Sequence, residues 1–323
     1  MKLNHDEMHS IAVDIGGSKL MVGIVDREGR VLTKEKEFLK ADINEDEIMD
    51  LIIQTVAKIR QYNDELIIDG AGVAIPGLAD VDKGVWVYSC FTGIRDYEIG
   101  RILSSKLNLP VYIDNDVNAC AYGEKLYGVC MNDNDFLWVT VSNGVGGGIF
   151  LNGELYRGPF MNAGEIGHLI VEENNPAVCP CKNKGCLEAY AAGPAIVRRY
   201  MEKTKSVSRE NKANLTAKDI ADLARGGDSK AMETFRETGV YLGKAISHAV
   251  NILNVQKVIL GGGVSLSMDL FIEPLLQTLD KWVFKDANPR LLIQKTAFDG
   301  DAALIGAAAI CKRGVKLYDE RCT

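Results

Sequence analysis

The chain has 323 residues, 47% of them hydrophobic and 25% charged, with a formal net charge of -7. That length exceeds one ordinary domain and favours two lobes, and the composition is that of a globular enzyme. The negative balance argues against a generic nucleic-acid or anionic-membrane surface but leaves ATP open, because backbone N–H groups can hold phosphates locally. No apolar run reaches membrane-spanning length, and the polar start MKLNHDEMHS has no apolar signal core, so a cytoplasmic location is expected.

Ser10 to Val25 reads SIAVDIGGSKLMVGIV, two β-branched runs around a glycine turn, which is a hairpin signature. Asp14 ends the first strand, Gly16 and Gly17 free the turn backbone, and Ser18 and Lys19 follow. An ordinary hairpin whose Asp caps its own turn is one reading. A phosphate-embracing loop, with Asp14 near the metal ion that accompanies a nucleotide, is the other. Residues 44–63 carry Ile48, Leu51, Ile52, Val56 and Ile59 at helical spacing and predict an amphipathic helix. LIIDGAGVAIPG then gives a buried strand ending in Pro76-Gly77, where ligand contacts gather in α/β folds. DVDKGVWVYS reads as an excursion that returns to the sheet.

Val111 to Gly123, VYIDNDVNACAYG, is a short strand running into Asp114, Asn115 and Asp116 and then helical residues. Asn115 or Asp116 can cap that helix. An Asp at the carboxyl end of a strand is equally placed to take a proton from a substrate hydroxyl, so plain cap and general base both stand at this point. FLWVTVSNGVGGGIFLN repeats the first device, with Asn143, Gly144 and Gly146 in and after its turn. Its recurrence about 130 residues later suggests two lobes of related construction, each aiming a glycine hairpin at one ligand.

The most informative stretch runs from Gly164 to Glu188, GEIGHLIVEENNPAVCPCKNKGCLE. His168, Cys179, Cys181 and Cys186 suit tetrahedral zinc, and four protein ligands make the site structural rather than hydrolytic. Glu165 and Glu188 bracket the cluster, and a closed knot pinning two acids is a way to hold sugar-type hydroxyls rigidly. Cys90, Cys120, Cys130, Cys311 and Cys322 lie at scattered spacings and read as small apolar groups. Residues 189–250 are helical by pattern, interrupted by TKSVSRENKANLTAKD, whose Thr216 caps the next helix, and by Gly226-Gly227-Asp228. KVILGGGVS runs a strand into Gly261, Gly262 and Gly263, which let the backbone approach a flat ligand, and then a helix. GDAALIGAAAICK forms a small-residue helix that returns the chain to the first lobe.

Together, DIGGSK, IPG, DNDVNA, the second glycine hairpin, GEIGH, CPCKNKGCLE, LGGGVS and GDAALIGAA resemble the ROK family of bacterial sugar kinases, within the actin-like ATPase superfamily. The resemblance implies an α/β, two-lobed, actin-like (ribonuclease H-like) fold of mixed sheets and helices with a ligand cleft between the lobes. Residues 1–117 with the C-terminal helix 301–323 would form the small lobe, and 118–300 the large lobe with the zinc knot. By position, the resemblance makes Asp116 the catalytic base and Asn115 its sugar-contacting neighbour. Glu165, His168 and Glu188 match the sugar-binding set, Gly77 lies in the IPG segment, and His168 is also a zinc ligand. Gly16 to Lys19 and Gly144 to Gly147 match the phosphate loops, and Gly261 to Gly263 the adenosine side.

The implied reaction is transfer of the γ-phosphate of ATP, with Mg2+, to a hydroxyl of a hexose or hexose-like acceptor. A structural Zn2+ is the further implied cofactor, and the implied assembly is a homo-oligomer, dimer or tetramer, without nucleic-acid or membrane partners. Three positions depart from the family pattern. Asn143 replaces a usual Thr, Lys182 a usual Gly in the zinc loop, and Cys90-Phe91-Thr92-Gly93-Ile94 stands where glucose-type members carry a sugar-contacting Asn. The last puts glucose in question as the acceptor. The family also includes sugar-responsive repressors with an N-terminal helix-turn-helix, and the few polar residues before the first strand offer no basic helix of that kind. A non-catalytic sugar-binding regulator is the alternative function.

Overall fold

The computed structural model describes residues 8–40, 42–89, 91–204 and 215–322. The chain divides into two compact units, the first taking residues up to Asp133, Leu155–Ala163 and the chain from Asp301, the second Asn134–Glu154 and Gly164–Gly300.

In the first unit, β1 (Met8–Ile15) and β2 (Lys19–Val25) form the expected antiparallel hairpin, with Ile15 opposite Leu20, and β3 (Val31–Phe38) extends it. Next, α1 (Glu45–Gln61) starts at a capping box in which Asn44 and Glu47 each accept from the other's backbone N–H. Its predicted apolar stripe is real, since Ile48, Ile52, Val56 and Ile59 are buried in one core with Ile11, Val13, Val22 and Val73. Parallel to β1 lies β4 (Ile67–Ile75).

The following residues do not return to this sheet. β5 (Leu78–Asp80), β6 (Val85–Tyr88) and β7 (Arg95–Tyr97) make a separate three-stranded sheet. Gly77, at φ +95°, turns the chain away from β4, and Trp86, fully buried, anchors the small sheet by donating its indole N–H to Pro76 O at 3.0 Å. After α2 (Ile99–Leu107), β8 (Val111–Asn115) pairs parallel with β4 and runs directly into α3 (Asp116–Tyr127), giving the order β3-β2-β1-β4-β8.

The second unit repeats that plan. β9 (Phe136–Val141) and β10 (Val145–Leu151) form the second hairpin, followed by β11 (Glu154–Tyr156). Four helices come next: α4 (Glu188–Ala191), α5 (Gly193–Lys203), α6 (Ala217–Arg225) and α7 (Ser229–Leu253). Thr216 caps α6 in a capping box with Asp219, as expected, and Asp228 caps α7. Most of the polar interruption before Thr216 lies outside the described residues. β12 (Lys257–Gly261) is parallel to β9, and after α8 (Ile272–Trp282) β13 (Leu292–Lys295) is parallel to β12, so the order is β11-β10-β9-β12-β13. The residues after the third glycine run, Gly263–Leu270, form a 3-10 helix rather than an α-helix, tightened by Ser265, whose N–H and Oγ both donate to Gly262 O at 3.0 and 2.7 Å.

The last helix, α9 (Ala302–Cys322), belongs to the first unit, as its small residues suggested. A Cβ on Gly72 of β4 would sit 1.8 Å from Ala307 O, and one on Gly306 would sit 2.3 Å from the Ala119 backbone, so the glycines admit backbone-to-backbone packing. That contact between α3 and α9 keeps α3 in the first unit, which therefore runs past the expected division at residue 117 to Asp133. Among the described residues no helix is long and apolar enough to cross a membrane.

Candidate active site and metal centre

The parallel register of the first sheet puts Asp14 beside Ala74, and Ala74 beside Asp114. β1, β4 and β8 therefore end in one row, and the residues leaving that row are Asp14 to Lys19, Pro76-Gly77 and Asn115-Asp116. Ligand-handling groups of α/β folds collect at such strand ends. The first turn is closed by Gly16 N–H donating to Lys19 O at 2.8 Å, with Gly17 and Ser18 exposed and Lys19 half-buried. Gly77 admits no other residue, because a Cβ there would stand 2.2 Å from Tyr88 O.

Asn115 is the cap of α3. Its Oδ1 accepts from Val117 N–H at 2.9 Å and Asn118 N–H at 3.2 Å. Its Nδ2 donates to Gly77 O at 2.9 Å and to Asp116 Oδ1 at 3.0 Å. The amide is thus fully engaged in holding Gly77 and Asp116 together. Asp116 Oδ1 also accepts from Val117 N–H at 3.0 Å, while Oδ2 has no protein partner among the described residues. Burial, and then the neighbouring Asp14, push the Asp116 carboxyl up to about 7. Asp14, 7% exposed, is pushed up to about 6 by burial, with Lys19 opposing and Asp301 adding to the rise.

Of the stretch that departs from the glucose-type pattern, Cys90 lies outside the described residues. Ser89 Oγ accepts from the N–H groups of Phe91 and Thr92 at 3.3 and 3.4 Å, and the Phe91 ring lies against Gly17, where a Cβ would be 3.1 Å from it.

In the second unit, Ser142 N–H donates to Gly144 O at 2.8 Å to close the β9–β10 turn, leaving Asn143 exposed and Gly144 and Gly146 half-buried. The GEIGH segment packs on β10 through its glycines. A Cβ on Gly164 would stand 1.9 Å from Gly147 O, and one on Gly167 2.0 Å from Val145 O. Glu188, at the start of α4, accepts from Val145 N–H at 3.0 Å, so it ties the glycine hairpin to the knot as well as bracketing it. Gly261 packs under the Trp138 ring, Gly262 turns the chain at φ +83°, and Gly263 faces open space.

The knot gathers its four predicted ligands. Donor atoms of His168, Cys179, Cys181 and Cys186 all lie within 4.8 Å of one another. Cys181 and Cys186 sulfurs are 3.7 Å apart, and Cys179 Sγ is 3.9 Å from His168 Nδ1. Two sulfurs on a tetrahedral zinc, each about 2.3 Å from the metal, are separated by about 3.8 Å. The donor set and spacing therefore fit such an ion. His168 presents its other nitrogen, Nε2, 3.6 Å from Glu165 Oε2, the arrangement in which a carboxylate orients a metal-bound imidazole. The surrounding backbone is closed by Cys179 N–H to Asn183 O at 2.8 Å and Gly185 N–H to Ala177 O at 2.9 Å.

A family model described as the ROK family matches residues 10–314. The chain belongs to the ROK family. It is 30% identical to a glucokinase of Halalkalibacterium halodurans over 94% of each chain. It is 29% identical to the xylose repressor of Bacillus spizizenii, over 94% of this chain and 76% of the repressor. A solved ROK family glucokinase of Streptomyces griseus, in complex with glucose and AMPPNP, is 29% identical and superposes with a TM-score of 0.83, covering 95% of this chain and all of that one. The fold is accordingly the actin-like ATPase fold expected of a ROK chain, and the duplicated five-stranded sheets are its signature here.

This ROK chain also holds groups that sequence patterns do not reveal. Arg157 pairs with the buried Asp114, 43 residues away in the chain, and no local periodicity marks either as the other's partner. Glu188 was legible as an acid beside the knot, but its bond to Val145 depends on a tertiary contact across 43 residues.

Proposed function

We propose that the protein is an ATP-dependent sugar kinase with Asp116 as general base. The observation that carries this reading is the state of Asp116. It stands at the end of a parallel strand row, one oxygen held by Asn115 and Val117, the other without a protein partner among the described residues, and its proton affinity raised to near neutrality. A base of that affinity is half-ionised near pH 7 and is well matched to taking the proton of an alcohol as its oxygen attacks phosphorus. Membership of a family that contains glucokinases supports the reaction class.

In this reading Glu165, His168 and Glu188 orient the acceptor's hydroxyls, with Asn115 and Gly77 fixing the base. Backbone N–H groups of Gly16 to Lys19 and of Asn143 to Gly146 hold phosphates, and Gly261 to Gly263 lie along the adenosine. The Asp14 carboxylate, buried and without a hydrogen-bond partner among the described residues, fits a divalent cation and would hold the magnesium of MgATP, which neutralises phosphate charge when bound. His168, Cys179, Cys181 and Cys186 would hold zinc as a structural brace for Glu165 and Glu188. The acceptor is a hexose or hexose-like polyol.

The test is ADP release with MgATP and a panel of hexoses, amino sugars, N-acetylated sugars and inositols. At least one should turn over, and Asp116→Asn should bind it normally while losing on the order of a hundredfold or more in kcat. Near-normal turnover in a folded Asp116→Asn removes the residue from its role. The similarity to a xylose repressor favours a second reading, a sugar-binding regulator without transferase activity. Sugar binding by calorimetry with no ADP release across the panel would select it.

A further inference from the structure

Arg157 follows β11 in the segment Leu155–Ala163, which belongs to the first unit. Its guanidinium is ion-paired with Asp114, and the two side chains are only 13% and 2% exposed. The second Asp114 oxygen accepts from Asn115 N–H at 2.8 Å and from Asn118 Nδ2 at 3.1 Å. Asp114 thus fixes the backbone of the residue whose amide donates to Asp116 Oδ1. The guanidinium also stands 5.7 Å from the centre of the Tyr122 ring, which Arg313 approaches at 5.0 Å.

We propose that Arg157 is a positioning residue for Asp116: by pairing with Asp114 it locks the Asn115-Asp116 junction and keeps a second buried negative charge from acting on the base. The inference rests on Asp116 being that base. Asp114 and Asp116 have Cα atoms no more than about 8 Å apart, since consecutive Cα atoms are about 3.8 Å apart. At that range in a protein interior, an uncompensated charge moves a neighbour's titration by about one pH unit. The other charged and titratable groups in this neighbourhood are Asp14 on β1, Lys19 and Asp301, which act on Asp14, Cys120 and Glu124 on α3, and Tyr122 and Arg313 beside Arg157. Lys19 acts on Asp14 and Arg313 packs on the Tyr122 ring, whereas the ion pair of Asp114 is made by Arg157.

A buried ion pair that merely braces the fold would shift the melting temperature and leave the titration of Asp116 alone. The two roles separate by NMR of protein labelled with 13C at the aspartate carboxyl carbons, the Asp116 resonance being the one missing from Asp116→Asn. Arg157→Met strands a carboxylate and should raise the Asp116 midpoint by about one pH unit. Asp114→Asn strands the guanidinium instead and should lower it by a similar amount. The double variant Asp114→Asn/Arg157→Met carries neither charge, so it avoids the unpaired buried ion and should return the midpoint to the wild-type value. If Arg157→Met does not fold, the downward shift in Asp114→Asn and its cancellation in the double variant carry the test. An unmoved midpoint in the single variants, or one displaced equally in the double variant, overturns the proposal. Turnover separates this from the underlying reading: an inactive Asp116→Asn with unmoved midpoints overturns the role of Arg157 alone, whereas an active Asp116→Asn overturns both.

Discussion

Lys182 sits at φ +73° in the turn between Cys181 and Cys186, its N–H donating to Cys179 O at 2.8 Å. A side chain in this left-handed region costs about 1–2 kcal/mol through the clash of Cβ with the backbone, and glycine avoids it. The cost is tolerated because the turn is fixed on both flanks by the neighbouring thiols and by Gly185, at φ +83°, where an added Cβ would stand 2.2 Å from Glu172 O. Lys182→Gly should therefore stabilise the knot, less the greater freedom glycine has when unfolded, for a net gain of roughly 0.5–1 kcal/mol. Calorimetry of the zinc-loaded protein should show a melting temperature higher by about 1–3 °C. A fall in that temperature would mean that the lysine side chain makes a stabilising contact that outweighs its backbone strain.

At the level of elements, the two hairpins, the cap of α6 and the closing small-residue helix were legible because each is written in local chemistry: glycine turns, Thr before an acid, alanine and glycine at packing positions. The clustering of His168, Cys179, Cys181 and Cys186 was legible for the same reason, since three of them fall within eight residues. The separate sheet of β5 to β7 was not, because strands of three or four residues leave too short a period to show which sheet they join. Nor was the bond from Val145 N–H to Glu188, which links β10 to α4 and ties the second glycine hairpin to the knot.

That link makes metal removal informative. Chelation should release zinc, raise the KM for the sugar by tenfold or more, and increase amide exchange across residues 166–188 and at Val145, where the acceptor carboxylate is lost. Exchange in β1, β4 and β8 should be unchanged. Protection at Val145 that survives the loss of zinc would show that Glu188 is placed without the metal.

Three carboxyls of the first unit, Asp14, Asp69 and Asp116, have their proton affinity raised in the folded state by desolvation, and this sets a direction for its stability with pH. Asp14 and Asp116 rise from 3.8 to about 6 and about 7. Between about pH 4 and 7 the folded chain therefore holds protons that the unfolded chain has released. Their contribution is fully present below about pH 4 and is lost as pH rises through 6 and 7. Glu233 works in the opposite sense, lowered from 4.5 to about 2 by hydrogen bonds from Lys203 and Lys230, so its contribution is fully present above 4.5 and is lost as pH falls from there through 2. From pH 5 to pH 8 the raised acids dominate, and the first unit, which contains them, should lose on the order of a few kcal/mol.

Two units need not unfold together, so a single melting curve would blur this effect. Three tryptophans allow them to be read apart: Trp86 lies in the first unit, Trp138 and Trp282 in the second. With Trp138 and Trp282 replaced by Phe, the urea midpoint followed at Trp86, which is fully buried, should fall between pH 5 and pH 8. Asp116→Asn in the same background removes the group with the largest shift and should remove more than half of that fall. An equal fall in both proteins would mean that Asp116 ionises in the folded state as freely as in the unfolded one, and the neutral-range base assigned to it would go with that result.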